Sequence, residues 1–255
     1  MEDVELSLSP EALKALLEFQ QEEEEREKKL KSLYADAEKK FEEVKAQEGM
    51  RVFKEDWQLS QFWYDEETAN NLAQALLEGA NENTVIAILS APSVYVAISK
   101  MSPSCVPTKH IYLFEYDKRF EVLAGSEHFC FYDYTNPLEF PASLDGKVHR
   151  ILIDPPFLNK PCQTKCKLQL QVLHLTSVLT FHQVGVTANK LLAKANDCGE
   201  QERRIMISTG ERMAEVVSET YPGTRKTTFT PSHANGLSNE FECYANFEWR
   251  GWKFK

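Results

Sequence analysis

The segment Asp154-Pro155-Pro156-Phe157 is the most specific chemical signal in the chain, and it directly follows the apolar run 151–153. The two prolines fix their own backbone dihedral angles and remove two N–H donors. Backbone carbonyls and the Asp154 carboxylate therefore remain as acceptors around one point, with the Phe157 ring beside them. Acceptors orient the N–H groups of an amine, and an aromatic face favours the positive charge that develops on it. The motif therefore suits a nitrogen nucleophile. A purely structural Pro-Pro turn is the alternative.

Two further acids follow other predicted strands. Glu115 ends the run that begins at His110, and Asp133 follows Phe131-Tyr132. A carboxylate at Glu115 would accept hydrogen bonds from both hydroxyls of a ribose, and one at Asp133 would receive an amino group. A surface acid at a strand end is the alternative in both cases.

Several other chemistries lack their usual signals. The 10 glycines include no Gly-x-Gly, so the dinucleotide fingerprint and the phosphate loop are absent, which argues against NAD and ATP as ligands. The 6 histidines show no ligand spacing, and Cys162-x-x-x-Cys166 lacks a second pair, so we expect no metal. No Ser-His-Asp arrangement can be defended from spacing alone.

The elements that must position these residues alternate along the chain. Residues 65–77 repeat apolar side chains at helical intervals, and short apolar runs predict five strands, at 85–89, 110–114, about 127–132, 150–153 and 204–208. Strands separated by helix-length segments predict an α/β protein with a mostly parallel sheet, which binds ligands beyond the carboxyl ends of its strands. Residues 227–230 and 241–247 flank Asn235-Gly236 and are expected to form an antiparallel pair.

Charge is concentrated at the N-terminus. The chain has a net charge of −10, and residues 1–50 carry 15 acids and 8 bases, which is −7 of that total. We read residues 9 to about 48 as a solvated, acidic helix, with a docking arm as the alternative. The low basic content argues against a protein that grips nucleic acid.

Nothing in the sequence predicts export or a membrane span. The N-terminus is acidic and lacks the apolar segment of a signal peptide. The longest apolar stretch, 168–181, has 14 residues and is interrupted by polar side chains, so it is too short to cross a bilayer. Six scattered cysteines fit a reduced compartment, and we expect a cytoplasmic protein.

Taken together, these motifs resemble those of the amino-group methyltransferases with an Asp-Pro-Pro-aromatic motif. The resemblance narrows to the protein-lysine methyltransferases of translation elongation factor 1-alpha, once labelled N6-adenine-specific DNA methyltransferases. It covers most of residues 5–165 and 184–248. The segments that carry it, in order, are Asp56-Trp57-Gln58-Leu59-Ser60-Gln61-Phe62-Trp63-Tyr64, Ser90-Ala91-Pro92-Ser93-Val94-Tyr95, Phe114-Glu115-Tyr116-Asp117-Lys118-Arg119-Phe120, Phe131-Tyr132-Asp133-Tyr134, Asp154-Pro155-Pro156-Phe157 and Asn239-Glu240-Phe241-Glu242-Cys243-Tyr244.

The resemblance implies a fold, a cofactor and a substrate. The fold is an α/β, Rossmann-like seven-stranded sheet of the class I methyltransferases, with a C-terminal antiparallel hairpin and an N-terminal helical extension. Residues 1–50 would form that extension and 51–255 the methyltransferase domain. The cofactor would be S-adenosyl-L-methionine. The substrate would be elongation factor 1-alpha, and neither a nucleic acid nor a membrane is expected as a partner.

The resemblance also implies residue roles. Glu115 would hold the cofactor ribose and Asp133 the adenine amino group. Related enzymes keep a glycine-rich loop at the position of the turn Ser90, Ala91, Pro92 and Ser93. This turn would run alongside the methionine moiety of the cofactor. Asp154, Pro155, Pro156 and Phe157 would line the target nitrogen. The cofactor would be covered by Trp57, Gln58, Ser60, Gln61, Phe62 and Trp63. Ordinary core packing is the alternative for the three aromatic residues in this set, and we expect it for at least one.

Two other functions stay open from the sequence. An adenine-N6 methyltransferase acting on DNA or RNA would use Asp154 and Phe157 equally well on a flipped base. The second open function is that of a non-catalytic binding protein of the same fold.

The resemblance breaks at Cys166–Gln183 and resumes at Val184. These 18 residues are rich in Leu, Val, Thr and Phe and carry a single charge, Lys167. They are either an extra element beside the site or an unspliced in-frame intron, and we favour the second slightly because such a run is an aggregation liability. Without them, the chain reads as one continuous helix between the fourth and fifth strands.

Overall fold

A computed structural model describes residues 61–155, 182–194, 203–236 and 241–255. All of them belong to the second of two units of the chain, Ala46–Lys255. The predicted N-terminal helix and the boundary at residue 50 lie outside the described residues, and so does the segment 166–181.

The described residues form a seven-stranded sheet in the order β3-β2-β1-β4-β5-β7-β6. Strands β1 to β5 are parallel, and β7 runs antiparallel to both β5 and β6. The predicted α/β fold with a seven-stranded sheet and a C-terminal antiparallel hairpin is confirmed. The strand bounds are β1 Ile86–Leu89, β2 Ile111–Glu115, β3 Phe129–Phe131, β4 Arg150–Ile153, β5 Arg204–Gly210, β6 Arg225–Lys226 and β7 Phe241–Ala245.

Helices cover the sheet. They are α1 Glu66–Leu77, α2 Pro92–Ser99, the one-turn α3 Glu121–Ala124, α4 at residues 182–191 and α5 Ala214–Thr220. The predicted first helix is observed, and its N-cap is Asp65, whose carboxylate accepts a 2.7 Å hydrogen bond from the Thr68 N–H. Because the parallel strands are covered, every residue of β1 and β4 is buried, which is why their sequences are nearly continuous apolar runs.

Two buried arginines cap the C-terminal end of α1 by donating hydrogen bonds to its carbonyls. The Arg150 Nη1 donates to the carbonyls of Leu76 and Glu78, at 2.7 Å each. Arg204 donates to the Ala75 carbonyl at 2.8 Å. The last carbonyls of a helix lack partners within the helix, so these contacts satisfy them from the sheet. They explain why two charged residues begin strands that are otherwise apolar.

The predicted antiparallel pair near the C-terminus is displaced by two residues. We expected the first strand at 227–230, whereas β6 is Arg225–Lys226. Thr227 still donates its N–H to the Cys243 carbonyl at 2.9 Å, but the Thr228 N–H donates to Lys253 instead. The chain therefore leaves β7 and pairs with residues 253–255. The alternation of side chains alone does not reveal which of two partners a strand takes.

Candidate functional site

Ser90, Glu115 and Asp154 meet at the carboxyl edge of the sheet. Leu89 of β1 is in register with Phe114 of β2 and with Ile153 of β4. The next residue on each strand is therefore one of the three. The Ser90 N–H donates to Phe114 at 2.9 Å, and the Asp154 N–H donates to Leu89 at 3.0 Å, so strand pairing continues into the site.

Ser90 turns the chain sharply after β1. Its φ is +58°, which makes it the non-glycine residue with a positive φ in the described part of the chain. A left-handed conformation is normally filled by glycine because it costs other residues energy, and such strain concentrates at functional sites. The turn leads directly into α2, which begins at Pro92 and buries Ala91 and Ser93 beside the sheet. The turn therefore adopts a left-handed conformation at Ser90 without a glycine.

Glu115 is a buried carboxyl whose charge is disfavoured. Burial, and secondly the nearby Asp117, raise its pKa to about 8. The N–H groups of Tyr116 and Asp117 oppose this by donating to Glu115 Oε1, at 3.0 and 3.3 Å. Both bonds are to Oε1, so Oε2 is not used by this turn. A ligand that donates hydrogen bonds there would favour the ionised form.

Asp154 lies in a similar environment on the other side of β1. The residue is half-buried, and loss of water around the carboxyl raises its pKa to about 8, whereas the Tyr64 hydroxyl lowers it. Pro155, the next residue, is buried. Pro156 and Phe157, the rest of the predicted motif, lie outside the described residues.

Asp133 stands at the end of the same row. It follows β3, the strand beyond β2, and its Oδ1 accepts hydrogen bonds from the Thr135 N–H at 2.8 Å and from the Thr135 hydroxyl at 2.7 Å. This turn fixes the carboxylate and leaves its Oδ2 outside these bonds. The strand order thus places Asp133, Glu115, Ser90 and Asp154 in a line along one edge of the sheet.

Gln61 is tied to the end of β2. Its Nε2 donates to Asp117 Oδ2 at 2.7 Å, and its Oε1 accepts from Arg119 Nη2 at 3.1 Å. Arg119 also donates through Nε to the Asp117 carboxylate at 2.8 Å, and all three side chains are buried. Both ends of the Gln61 amide are thus paired with protein. Gln61 belongs to the segment predicted to cover the cofactor. The network therefore ties this segment to Asp117, which follows Glu115 by two residues.

The aromatic residues of that segment take different positions. Trp63 is buried and packs edge-on against Phe120, with ring centroids 5.5 Å apart. This is the core-packing alternative that the sequence analysis kept. Phe62 is partly exposed, and Trp57 lies outside the described residues, as do Gln58 and Ser60.

Sequence reasoning assigned no role to four polar residues around this site. Asp117 and Arg119 make the network just described, and Tyr64 lies against Asp154 with Ser208 of β5 nearby. Tyr64, Asp117 and Arg119 lie within the segments that carry the family resemblance, 56–64 and 114–120. Ser208 gave no signal, because a serine in an apolar strand has no pattern of its own.

The described residues contain no group of three or more His, Cys, Asp or Glu side chains placed to hold a metal ion. Within the same residues, no helix is both long and apolar enough to cross a membrane.

Comparisons with known proteins show what this chain is similar to. A family model described as probable N6-adenine methyltransferase matches residues 55–249. The chain is 54% identical to protein-lysine N-methyltransferase EFM5 of Saccharomyces cerevisiae, over 97% of this chain and 94% of the yeast protein. It is 36% identical to EEF1A lysine methyltransferase 1 of Homo sapiens, over 77% of each protein. A Dictyostelium discoideum protein-lysine N-methyltransferase is 31% identical over 96% of this chain and 92% of its own.

A parallel sheet with acids at the carboxyl ends of neighbouring strands, matched over most of the chain by a methyltransferase family, defines a methyltransferase. More particularly, the chain belongs to the family described as probable N6-adenine methyltransferases, which confirms the resemblance drawn from its motifs. The relatives support protein-lysine N-methylation as its activity.

Proposed function

We propose that this protein transfers methyl groups from S-adenosyl-L-methionine to a lysine of translation elongation factor 1-alpha. The observation that carries the proposal is the row of Asp133, Glu115, Ser90 and Asp154 along one sheet edge. The names of the Homo sapiens relative and its homologues support the substrate. We place the reaction in the cytoplasm, in keeping with the scattered cysteines.

The polar atoms of this row fit the cofactor. Glu115 Oε2 is available to the ribose hydroxyls, and Asp133 Oδ2 to the adenine amino group, because the local turns use the other oxygen of each carboxylate. The turn Ser90–Ser93 would run alongside the methionine moiety of the cofactor. When bound, S-adenosylmethionine supplies a methyl group on a sulfonium centre, ready for displacement by a nucleophile.

Asp154 would orient the lysine amine. A lysine has an ordinary pKa of about 10.4, so it must lose a proton before its lone pair can attack. In its ionised form, Asp154 would accept a hydrogen bond from the amine and turn the lone pair towards the methyl group. It also stabilises an ammonium, so its contribution is one of alignment more than of base strength. Alignment of two bound reactants accounts for most of the rate in such a transfer.

The test is methyl transfer from radiolabelled cofactor with purified substrates offered side by side. Folded elongation factor 1-alpha should be labelled by the wild-type protein and left unlabelled by Asp154→Asn, which keeps the shape of the side chain. Duplex and single-stranded DNA containing adenine should stay unlabelled. Labelling of DNA equal to that of the protein would favour the adenine-N6 activity named in the family description. Cofactor binding without any transfer would indicate a non-catalytic protein.

A further inference from the structure

Asp117 lies between Glu115 and the segment that leads into α1, and it makes a hydrogen bond to each. Its backbone N–H donates to Glu115 Oε1 at 3.3 Å, and its Oδ2 accepts the hydrogen bond from Gln61 Nε2 at 2.7 Å. Only 1% of Asp117 is exposed, so both bonds are shielded from water. Asp117 therefore connects Gln61 to the carboxyl that is proposed to hold the ribose.

Arg119 completes this network. Its Nε lies 2.9 and 2.8 Å from the two oxygens of the Asp117 carboxylate, and its Nη2 donates to Gln61 Oε1 at 3.1 Å. Burying an ion pair costs less free energy when further hydrogen bonds satisfy its charged groups. The Gln61 amide supplies one such bond to the carboxylate and one to the guanidinium.

A ring contact joins the same two segments. The Trp63 ring packs edge-on against Phe120 with centroids 5.5 Å apart, and both residues are buried. Phe120 ends the single turn Lys118–Phe120, which Asp117 caps by accepting a hydrogen bond from the Arg119 N–H at 3.0 Å. Residues 61–63 therefore pack against the turn after β2 through one polar and one apolar contact.

This packing bears on the orientation of the Glu115 carboxyl. The backbone at the start of the turn holds Glu115 Oε1, so a shift of the turn would also move Oε2, the atom available to the ribose hydroxyls. A binding group that is already held in place gives higher affinity, because less order has to be created when the ligand binds.

We propose that Gln61, Asp117 and Arg119 are positioning residues for the cofactor, which fix the turn after β2 and thereby orient Glu115 towards the ribose. Gln61 then acts through Asp117 and not by contacting the cofactor, which differs from the role that the family resemblance implies for it. The inference rests on the proposed function, because that function gives Glu115 its ligand.

The first experiment measures S-adenosylmethionine binding by calorimetric titration of the full chain carrying Gln61→Met. This variant leaves Asp117 and Arg119 paired with each other, so it should unfold within about 5 °C of wild type in the absence of cofactor. We expect its Kd to rise about tenfold, the net effect of one ordinary hydrogen bond. In methyl transfer, KM for the cofactor should rise in parallel, while kcat at saturating cofactor stays near the wild-type value.

An exchange of the two polar groups separates positioning from direct contact. Gln61→Glu places a second carboxylate against Asp117 and should weaken cofactor binding more than Gln61→Met does. Gln61→Glu combined with Asp117→Asn restores one carboxylate and one amide beside the arginine, so the double variant should bind more tightly than either single variant. A direct contact between the Gln61 amide and the cofactor would give no such recovery.

Gln74→Met is the matched control. Gln74 also accepts a hydrogen bond from an arginine, Arg250, at 2.7 Å, but it lies near the C-terminal end of α1, which Arg150 ties to the opposite edge of the sheet. This variant should bind the cofactor as wild type does.

Wild-type affinity in Gln61→Met overturns the inference, and so does a double variant that binds no better than Gln61→Glu. If the variants with an exchanged carboxylate fail to fold, the comparison of Gln61→Met with Gln74→Met decides alone. A wild-type protein that does not bind S-adenosylmethionine would instead overturn the proposed function itself.

Discussion

Glu115 and Asp154 lie one residue beyond matching positions on the two strands that flank β1. Neighbouring strands are about 4.8 Å apart, so the two backbones are separated by roughly 10 Å across the end of β1. Burial is the main cause of the raised pKa of Glu115, and the charge of Asp154 adds to it, so the two carboxyls interact across Ser90. The sheet therefore fixes both the distance and the electrostatic coupling between the two ends of the proposed site.

The two carboxyls should have separable roles. Asp154→Ala should abolish methyl transfer while S-adenosylmethionine still binds, because in the proposed function Asp154 would face the reacting nitrogen. Glu115→Ala should weaken cofactor binding by about 1.5–3 kcal/mol, the value of a hydrogen bond to a charged group, or roughly tenfold to over a hundredfold in Kd. Calorimetric titration of both variants measures this. An equal loss of cofactor affinity in Asp154→Ala would contradict the assignment.

Stability should fall with rising pH because of the same two groups. The pKa of Glu115 and that of Asp154 are raised to about 8 in the folded protein, from ordinary values near 4.5 and 3.8. The folded state therefore binds more protons than the unfolded state between those values. The contribution to stability is full below the unfolded pKa and is lost as pH rises towards the folded one, by up to about 1.4 kcal/mol per pH unit for each group.

Glu115→Gln should remove one such contribution. Denaturant unfolding of the protein without cofactor, measured from about pH 5 to pH 8, should show a shallower decline for the variant than for wild type. Identical slopes would mean that Glu115 is ionised throughout and that its burial does not govern its charge. Wild type should also bind the cofactor more tightly than Glu115→Gln, since a ribose that donates hydrogen bonds favours the carboxylate.

Arg150 should be worth more to stability than an exposed ion pair. Arg150→Met keeps most of the buried volume but leaves the carbonyls of Leu76 and Glu78 without their donor, so we expect a loss of about 2–4 kcal/mol. Lys190→Met is the control, because the Lys190–Asp145 pair is 2.7 Å long but half-exposed, and its removal should cost under about 1 kcal/mol. Equal effects in denaturant unfolding would contradict the capping role.

Ser90 should accept glycine and reject a branched side chain. Its φ of +58° is comfortable for glycine, so Ser90→Gly should change stability by less than about 1 kcal/mol. Ser90→Val should cost at least about 1–2 kcal/mol relative to glycine and weaken cofactor binding, since β-branched residues avoid this conformation. Thermal unfolding and calorimetric titration test both effects. A Val variant as stable as the Gly variant would show that the turn can relax.

The sequence predicted the parts of the site that repeat a local pattern. Glu115, Asp133 and Asp154 each follow a short apolar run, and a parallel sheet brings such positions to one edge, so their alignment could be foreseen. The partners of Gln61 could not, because Asp117 lies 56 residues away and nothing in either segment encodes the contact. The place of Tyr64 and Ser208 at the site was not predicted for the same reason. The displaced β6 shows the same limit, since two possible partners lay within reach of one segment.

The segment 166–183 should be dispensable. Residues 166–181 lie outside the described part of the chain, and α4 begins at residue 182. Joining Lys165 to Val184 keeps the inward-facing residues of α4, because Val184, Ala188 and Leu191 are buried against the sheet while Val186 is exposed. The Thr187 hydroxyl, which pairs with Tyr132 at 2.8 Å, is also retained. We therefore expect a protein lacking 166–183 to be at least as soluble and as active as the full chain. Mature transcripts that contain the segment, or a deletion that destroys folding, would instead identify it as a genuine element of the fold.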